Sequence, residues 1–215
     1  MLKSAKTRNI NLYKNLHASS QRYGSASSTR LRSVIIACIK EMSSAENHQK
    51  RILDFGSGKS SLILDTARRI KARGFRYDPA IPEISIPPVG EFDFILNSDV
   101  LEHLDTSEIP QILDDIATYG SRVLFCISTR PANTILENGE NAHATVENHD
   151  WWLGKIRQNF PKAAILWNND TAVMILSEEP TKKLETLVTR LNSKRLMDRI
   201  YALRYNMLTK FGMIN

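Results

Sequence analysis

A chain of 215 residues, 42% hydrophobic and 24% charged, has the length of one domain with at most a small appendage, and its apolar content excludes disordered and collagen-like classes. No apolar run approaches the roughly 18 residues of a membrane span, and the opening MLKSAKTRNINLYKN lacks the apolar core of a secretory signal. The formal charge of +6 is unevenly spread, with +7 on residues 1–50, −7 on residues 51–180 and +6 on residues 181–215.

Basic flanks around an acidic middle fit either an anionic partner, nucleic acid included, or solvated helix faces. The two cysteines, Cys38 and Cys126, are too few and too far apart for a disulfide framework or a cysteine zinc site, so a reducing cytoplasm is the expected location.

In chain order, a polar stretch over 13–28 leads into Ser28–Met42, where Leu31, Val34, Ile35, Cys38, Ile39 and Met42 fall at helical spacing. Arg51–Phe55 reads as a short strand running into Gly56-Ser57-Gly58, and Ser60–Arg73 as a helix. Phe75–Tyr77 is a second strand ending at Asp78, and Pro79–Gly90, with four prolines, leaves no room for a helix. Phe92–Leu96 is a third strand ending in Asn97-Ser98-Asp99, Thr106–Tyr119 a helix, and Arg122–Ile127 a fourth strand, apolar enough to be buried on both faces.

After a long loop, Ser128–Asp150, come the helix Trp151–Phe160 and two strands, Ala163–Trp167 and Thr171–Leu176, paired as a hairpin around Asn168-Asn169-Asp170. Lys182–Phe211 is a basic amphipathic helical tail. Strand–helix alternation closed by a hairpin predicts a doubly wound α/β fold: a mostly parallel sheet, helices on both faces and an antiparallel last strand. Its site lies along the carboxyl edge of the strands.

The glycine loop narrows the ligand. Gly58-Lys59-Ser60 imitates the end of a P-loop, but the glycine required five residues earlier is Leu53. A dinucleotide fingerprint needs a third glycine where Ser61 stands. What remains is a strand-ending acid, Asp54, two glycines that let the backbone approach a ligand, and a second acid, Asp78, twenty residues after Gly58. Asp78 suits a ribose diol, whereas Asp54 would repel phosphates and suits an amino group. The ligand is a nucleoside that carries something other than pyrophosphate.

These residues resemble the class I S-adenosylmethionine-dependent methyltransferases through LDFGSG (Leu53–Gly58), Asp78, FDFILNSDVLEHL (Phe92–Leu104) and the terminal hairpin. The resemblance covers residues 50–178 and implies a seven-stranded or shortened sheet with S-adenosylmethionine as cofactor. By that resemblance Gly56, Ser57 and Gly58 pack against the methionine part, Asp54 assists its amino group and Asp78 holds the ribose. Ser98 and Asp99 face the adenine or the transfer cleft. Ser60 replaces a frequent third glycine, and the usual helix and third strand are compressed into residues 79–91, where Ile84 and Ser85 are candidates for adenine contacts.

A bacterial and phage-type group of unassigned substrate shares YDPAIP (Tyr77–Pro82) and ISTRPA (Ile127–Ala132).

For the acceptor, Glu102, His103 and, from the long loop, His143 are the catalytic candidates. Asp99-Val-Leu-Glu-His103 with a distal histidine resembles magnesium-dependent methyltransferases acting on ubiquinone precursors and RNA 3′ ends. The same V-L-E-H run also occurs in metal-free relatives, where it braces the cleft, so the divalent cation is the less favoured reading and the metal stays undetermined. Arg130 is a candidate for an anionic or sugar-like acceptor, and Trp151 and Trp152 for helix anchors.

The expected organisation is 1–49 as an N-terminal lid, with His17 and Tyr23 toward the acceptor, 50–179 as the cofactor-binding core, and 180–215 as a basic helix. The expected activity is methyl transfer to O or N of a saccharide or other small hydroxylated acceptor. The alternatives are a nucleic-acid methyltransferase, or a nucleic-acid-associated protein whose methyltransferase-like core has lost turnover. The oligomeric state is not legible.

Overall fold

The computed structural model describes residues 12–15, 31–42 and 48–191. Strand β1 (Arg51–Phe55) is buried from Ile52 onward, and strand alternation sends Ile52 and Asp54 to one face of the sheet, Leu53 and Phe55 to the other. β2 (Arg73–Tyr77) and β3 (Phe94–Ser98) flank β1 in parallel. β4 (Val123–Ser128) runs parallel to β3. β5 (Ala164–Asn169) and β6 (Ala172–Leu176) form the hairpin, and β6 lies antiparallel between β4 and β5. The six strands are ordered β2-β1-β3-β4-β6-β5.

The reversed strand is therefore an insertion rather than an edge, as follows when a tight hairpin returns the chain beside a β4 already in place. Residues 79–91 supply one 3₁₀ turn, Pro82–Ile84, and no strand, which leaves the sheet at six strands.

Two apolar layers cover the sheet. On one face Ile52, Phe94, Leu96 and Leu124 pack against α1 (Arg32–Met42), through Val34, Ile35 and Cys38, and α2 (Leu62–Ile70), through Leu62, Ile63 and Ala67. On the other, Leu53, Ile95, Phe125 and Ile175 meet α3 (Ile109–Ala117) and α4 (His149–Ile156), whose Trp152 is fully buried.

Local chemistry sets the boundaries where they differ from expectation. α2 starts at Leu62 because Ser60 Oγ accepts from Leu62 N (3.1 Å). It stops where Lys71 turns left-handed (φ 58), which frees Arg73 and Gly74 to join β2. Pro110 at the helix entrance delays α3. β3 lies two residues later than the apolar run suggests, because Asp93 is held outside it: its carboxylate accepts from Arg51 N (2.7 Å) and bonds His48 Nε2 (2.7 Å). Asn97 consequently sits inside the sheet.

Both basic flanks contribute to this core. α1 lies within the segment expected to be a lid, yet it packs on the sheet, and residues 182–191 are helical with Leu184 and Val188 buried in the same layer. Glu41 of α1 receives Thr181 Oγ1 and pairs with Lys183 Nζ (2.8 Å). Burying Leu184 and Val188 contributes about 3–6 kcal/mol, whereas the exposed Glu41–Lys183 pair is screened by solvent and adds little. Apolar contact fastens the tail. The expected helix beyond residue 191, and His17 and Tyr23, lie outside the described residues.

Candidate active site

The carboxyl ends of β1, β2 and β3 meet the glycine loop. Gly56 adopts φ +82 and Gly58 φ +52, conformations in which a side chain is strained. Gly56 N and Ser57 N both donate to Tyr77 O (2.8 and 3.1 Å). A Cβ on Gly56 would come within 2.4 Å of Val100 Cγ2. Gly56→Ala therefore combines backbone strain with a steric clash, and an expected loss of about 2–4 kcal/mol is measurable by urea denaturation. An alanine variant as stable as the parent would contradict this packing.

Asp78 clamps the loop. Its Oδ2 accepts from Gly58 N (2.8 Å) and its Oδ1 from Ala80 N (2.8 Å), so both carboxylate oxygens already hold a backbone group. Arg76, on β2, adds two bonds: Nε donates to Ser57 Oγ (3.3 Å) and Nη2 to Gly58 O (2.6 Å). Asn97 completes the frame, with Nδ2 donating to Phe55 O (3.0 Å) where β1 leaves the sheet.

Asp54 stands apart from this network. It is 2% exposed, and among the described residues its carboxylate makes no hydrogen bond or ion pair. Burial pushes its pKa up to about 7; the Arg76 charge opposes that rise, and Asp78 and Asp99 reinforce it. A buried carboxylate left without a partner calls for a cation, which the α-ammonium of an amino-acid-bearing nucleoside provides. The donor set fits S-adenosylmethionine.

Ser98 and Asp99 end β3. Asp99 is in the left-handed region (φ 54), its N donates to Cys126 O (2.9 Å), and Ser98 Oγ reaches its Oδ2 (3.5 Å). A non-glycine residue at positive φ is a strained turn that concentrates at functional sites. Ile84 closes the neighbouring turn by accepting from Asp78 N (3.0 Å), while Ser85 Oγ donates to Pro82 O (3.0 Å).

Glu102 is fully buried. Its Oε1 accepts from Ser128 N (2.9 Å), its main-chain oxygen from Thr145 N (3.0 Å), and Oε2 has no hydrogen-bond partner. Burial first, and then the Asp99 charge, raise its pKa well above the carboxylate range. With Oε1 accepting, the proton belongs on Oε2. Glu102 thus ties the turn Leu101–His103 to the end of β4 and to the long loop.

The histidines converge. His103 and His143 lie edge to face with ring centroids 4.9 Å apart. His103 Nδ1 is 2.7 Å from Ala142 O, and His143 Nδ1 is 2.6 Å from Arg130 O. A carbonyl can only accept, so each Nδ1 carries a proton and donates to that carbonyl. Asn141 shapes the loop beneath them: its Nδ2 donates to Ala132 O, and its Oδ1 accepts from Ala132 N and His143 N (each 2.9 Å).

Tyr13 reaches this pair from the N-terminal segment, its hydroxyl donating to Ala142 O (2.8 Å) and lying 3.1 Å from His103 Nδ1. The Arg130 side chain is exposed. Trp151 packs edge to face on Trp152, at 4.9 Å between centroids. Among the described residues, no three His, Cys, Asp or Glu side chains gather as a metal-ligand set.

Sequence reading singled out the loop, the acids and the histidines. It missed Arg76 and Asn97, and within the expected lid it pointed to His17 and Tyr23 rather than to Tyr13. The signal for Arg76 was available: two residues before Asp78, an arginine stands between the aromatics Phe75 and Tyr77.

The sheet order, the inserted reversed strand and the carboxyl-edge glycine loop define the class I S-adenosylmethionine-dependent methyltransferase fold, in a six-stranded version. Among solved structures, Burkholderia thailandensis 1,6-didemethyltoxoflavin-N1-methyltransferase, bound to 1,6-didemethyltoxoflavin and S-adenosylhomocysteine, has a similar fold. The match has TM-score 0.53 and 11% identity over 79% of this chain and 88% of that one. The complex of DhpI with S-adenosylhomocysteine aligns over 78% and 95% of the two chains (TM-score 0.46, 10% identity). Magnesium protoporphyrin IX methyltransferase from Synechocystis PCC 6803 aligns over 69% and 83% (TM-score 0.44, 12% identity). No family model and no curated protein matches the sequence.

Proposed function

We propose that this chain is an S-adenosylmethionine-dependent methyltransferase that acts on O or N of a small polar acceptor. The observation that carries the reading is Asp54, a buried carboxylate without a partner, beside a glycine loop held in a ligand-facing turn. In the proposed division of labour, Asp54, Gly56, Ser57, Gly58 and Asp78 hold the donor, Ser98 and Asp99 border the transfer cleft, and residues 50–179 carry this site.

A sulfonium methyl is transferred by in-line displacement: the acceptor's lone pair forms the new bond to carbon, the C–S bond breaks, and the sulfur leaves as a neutral thioether. The acceptor's proton then needs a base. The imidazoles of His103 and His143 are the candidate bases, and Glu102 braces the turn that carries His103 against the end of β4.

Because Tyr13 and the 128–148 loop flank the two rings, a small acceptor suits the site better than a duplex. The basic flanks are the only feature that favours nucleic acid, and Leu184 and Val188 bind part of the C-terminal flank to the core.

The decisive experiment is calorimetric titration with S-adenosylhomocysteine, followed by labelled-methyl transfer to fractionated small metabolites, DNA and RNA. Absence of any donor binding would end the proposal. With an acceptor in hand, His103→Ala and His143→Ala are expected to lower turnover by roughly 10²- to 10⁴-fold at the more important base while leaving donor affinity within about threefold. Unchanged turnover in both variants would remove the histidines from catalysis.

A further inference from the structure

We propose that Arg76 recognises the donor's α-carboxylate, forming with Asp54 a two-charge grip on the amino-acid end; this rests on the donor reading above. Asp54 and Arg76 are register partners on adjacent strands, so both side chains rise from the same face of the sheet. Adjacent strands lie about 4.8 Å apart, a span that an ammonium and a carboxylate on one carbon can bridge. Asp54 lacks a partner, and the two side chains form no ion pair with one another among the described residues.

Of the five guanidinium N–H donors, Arg76 commits one on Nε and one on Nη2 to the loop. Among the described residues it makes no hydrogen bond beyond those two, which leaves the two donors on Nη1 and the second on Nη2. Both loop acceptors, Ser57 Oγ and Gly58 O, are neutral, so fastening the loop does not by itself require a cation. A half-buried guanidinium with a spare face beside the glycine turn does suit a carboxylate, which it can engage through two parallel N–H bonds.

The test compares S-adenosylmethionine with decarboxylated S-adenosylmethionine, which differ only in the carboxylate, in the parent chain and in Arg76→Gln and Arg76→Lys. Calorimetry on the parent is expected to favour the carboxylated ligand by roughly 10- to 100-fold. Arg76→Gln should bind the two ligands equally, the loss falling on S-adenosylmethionine alone, and Arg76→Lys should recover part of the preference.

Equal loss of both ligands in Arg76→Gln would reduce Arg76 to a loop fastener and overturn the proposal, as would retention of the preference. If the parent binds neither ligand, the donor reading itself falls and the proposal with it. Retained binding of the decarboxylated ligand verifies that Arg76→Gln is folded. If that variant does not fold, Arg76→Lys decides alone, since a preference undiminished by loss of the forked guanidinium overturns the proposal.

Discussion

Asp54→Asn is expected to raise the melting temperature of the ligand-free protein near neutral pH and to abolish donor binding. Asp54 is buried without a partner among the described residues, and burial pushes its pKa up to about 7, against about 4 for an aspartate in an unfolded chain. Between these values the folded state holds the proton more tightly than the unfolded state does. The carboxyl's favourable contribution is therefore complete below about pH 4 and is lost as pH rises through about 7. Three pKa units correspond to at most about 4 kcal/mol of destabilisation above neutrality.

Asparagine keeps the shape and removes the charge, so its stabilising effect grows from about pH 5 to pH 8. Thermal melts across that range provide the check, and a variant that is less stable at every pH would refute the assignment. The same carboxylate must ionise to receive an ammonium. Donor affinity in the parent is thus expected to rise with pH through about 7 with release of a proton, which calorimetry in buffers of different ionisation enthalpy detects.

Glu102 gives the second large effect, and here the contrast between two substitutions carries the information. Glu102→Gln preserves the Oε1 acceptor for Ser128 N and puts an N–H donor where the carboxylic proton stands. Since burial and Asp99 favour the protonated form, glutamine is expected to cost less than about 1 kcal/mol. Glu102→Ala leaves Ser128 N–H buried without its partner and opens a buried cavity, an expected loss of about 3–5 kcal/mol. Urea denaturation near neutral pH measures both. A glutamine variant as damaged as the alanine one would mean that an ionised carboxylate is required there.

The architecture was largely legible because strands buried on both faces and amphipathic helices leave different periodicities. Arg51–Phe55 read as a short strand, Arg122–Ile127 as a strand buried on both faces, and Ser60–Arg73 as a one-sided helix. The errors fell at boundaries where a single side chain intervenes: Ser60 bonding Leu62 N ahead of α2, Pro110 delaying α3, Asp93 holding β3 back. Period counting cannot register a hydrogen bond between residues 42 positions apart. The charge pattern was equally legible as arithmetic but not in meaning. Part of each basic flank packs into the core, through Val34, Ile35 and Cys38 at one end and Leu184 and Val188 at the other.

By itself, the sequence determined the layered fold and the residue types at the carboxyl edge. Glycines at Gly56 and Gly58 are demanded by backbone conformation, and acids at Asp54 and Asp78 by strand ends; both are local properties of the chain. Only the tertiary structure decided what those residues do. It showed that Asp78 also fastens the loop, that Asp54 has no hydrogen-bond or ion-pair partner among the described residues, and that Glu102 is buried while the His103 and His143 rings meet edge to face. The physical reason is that protonation, hydrogen-bond satisfaction and charge pairing depend on neighbours across the sheet, and burial sets the strength of each.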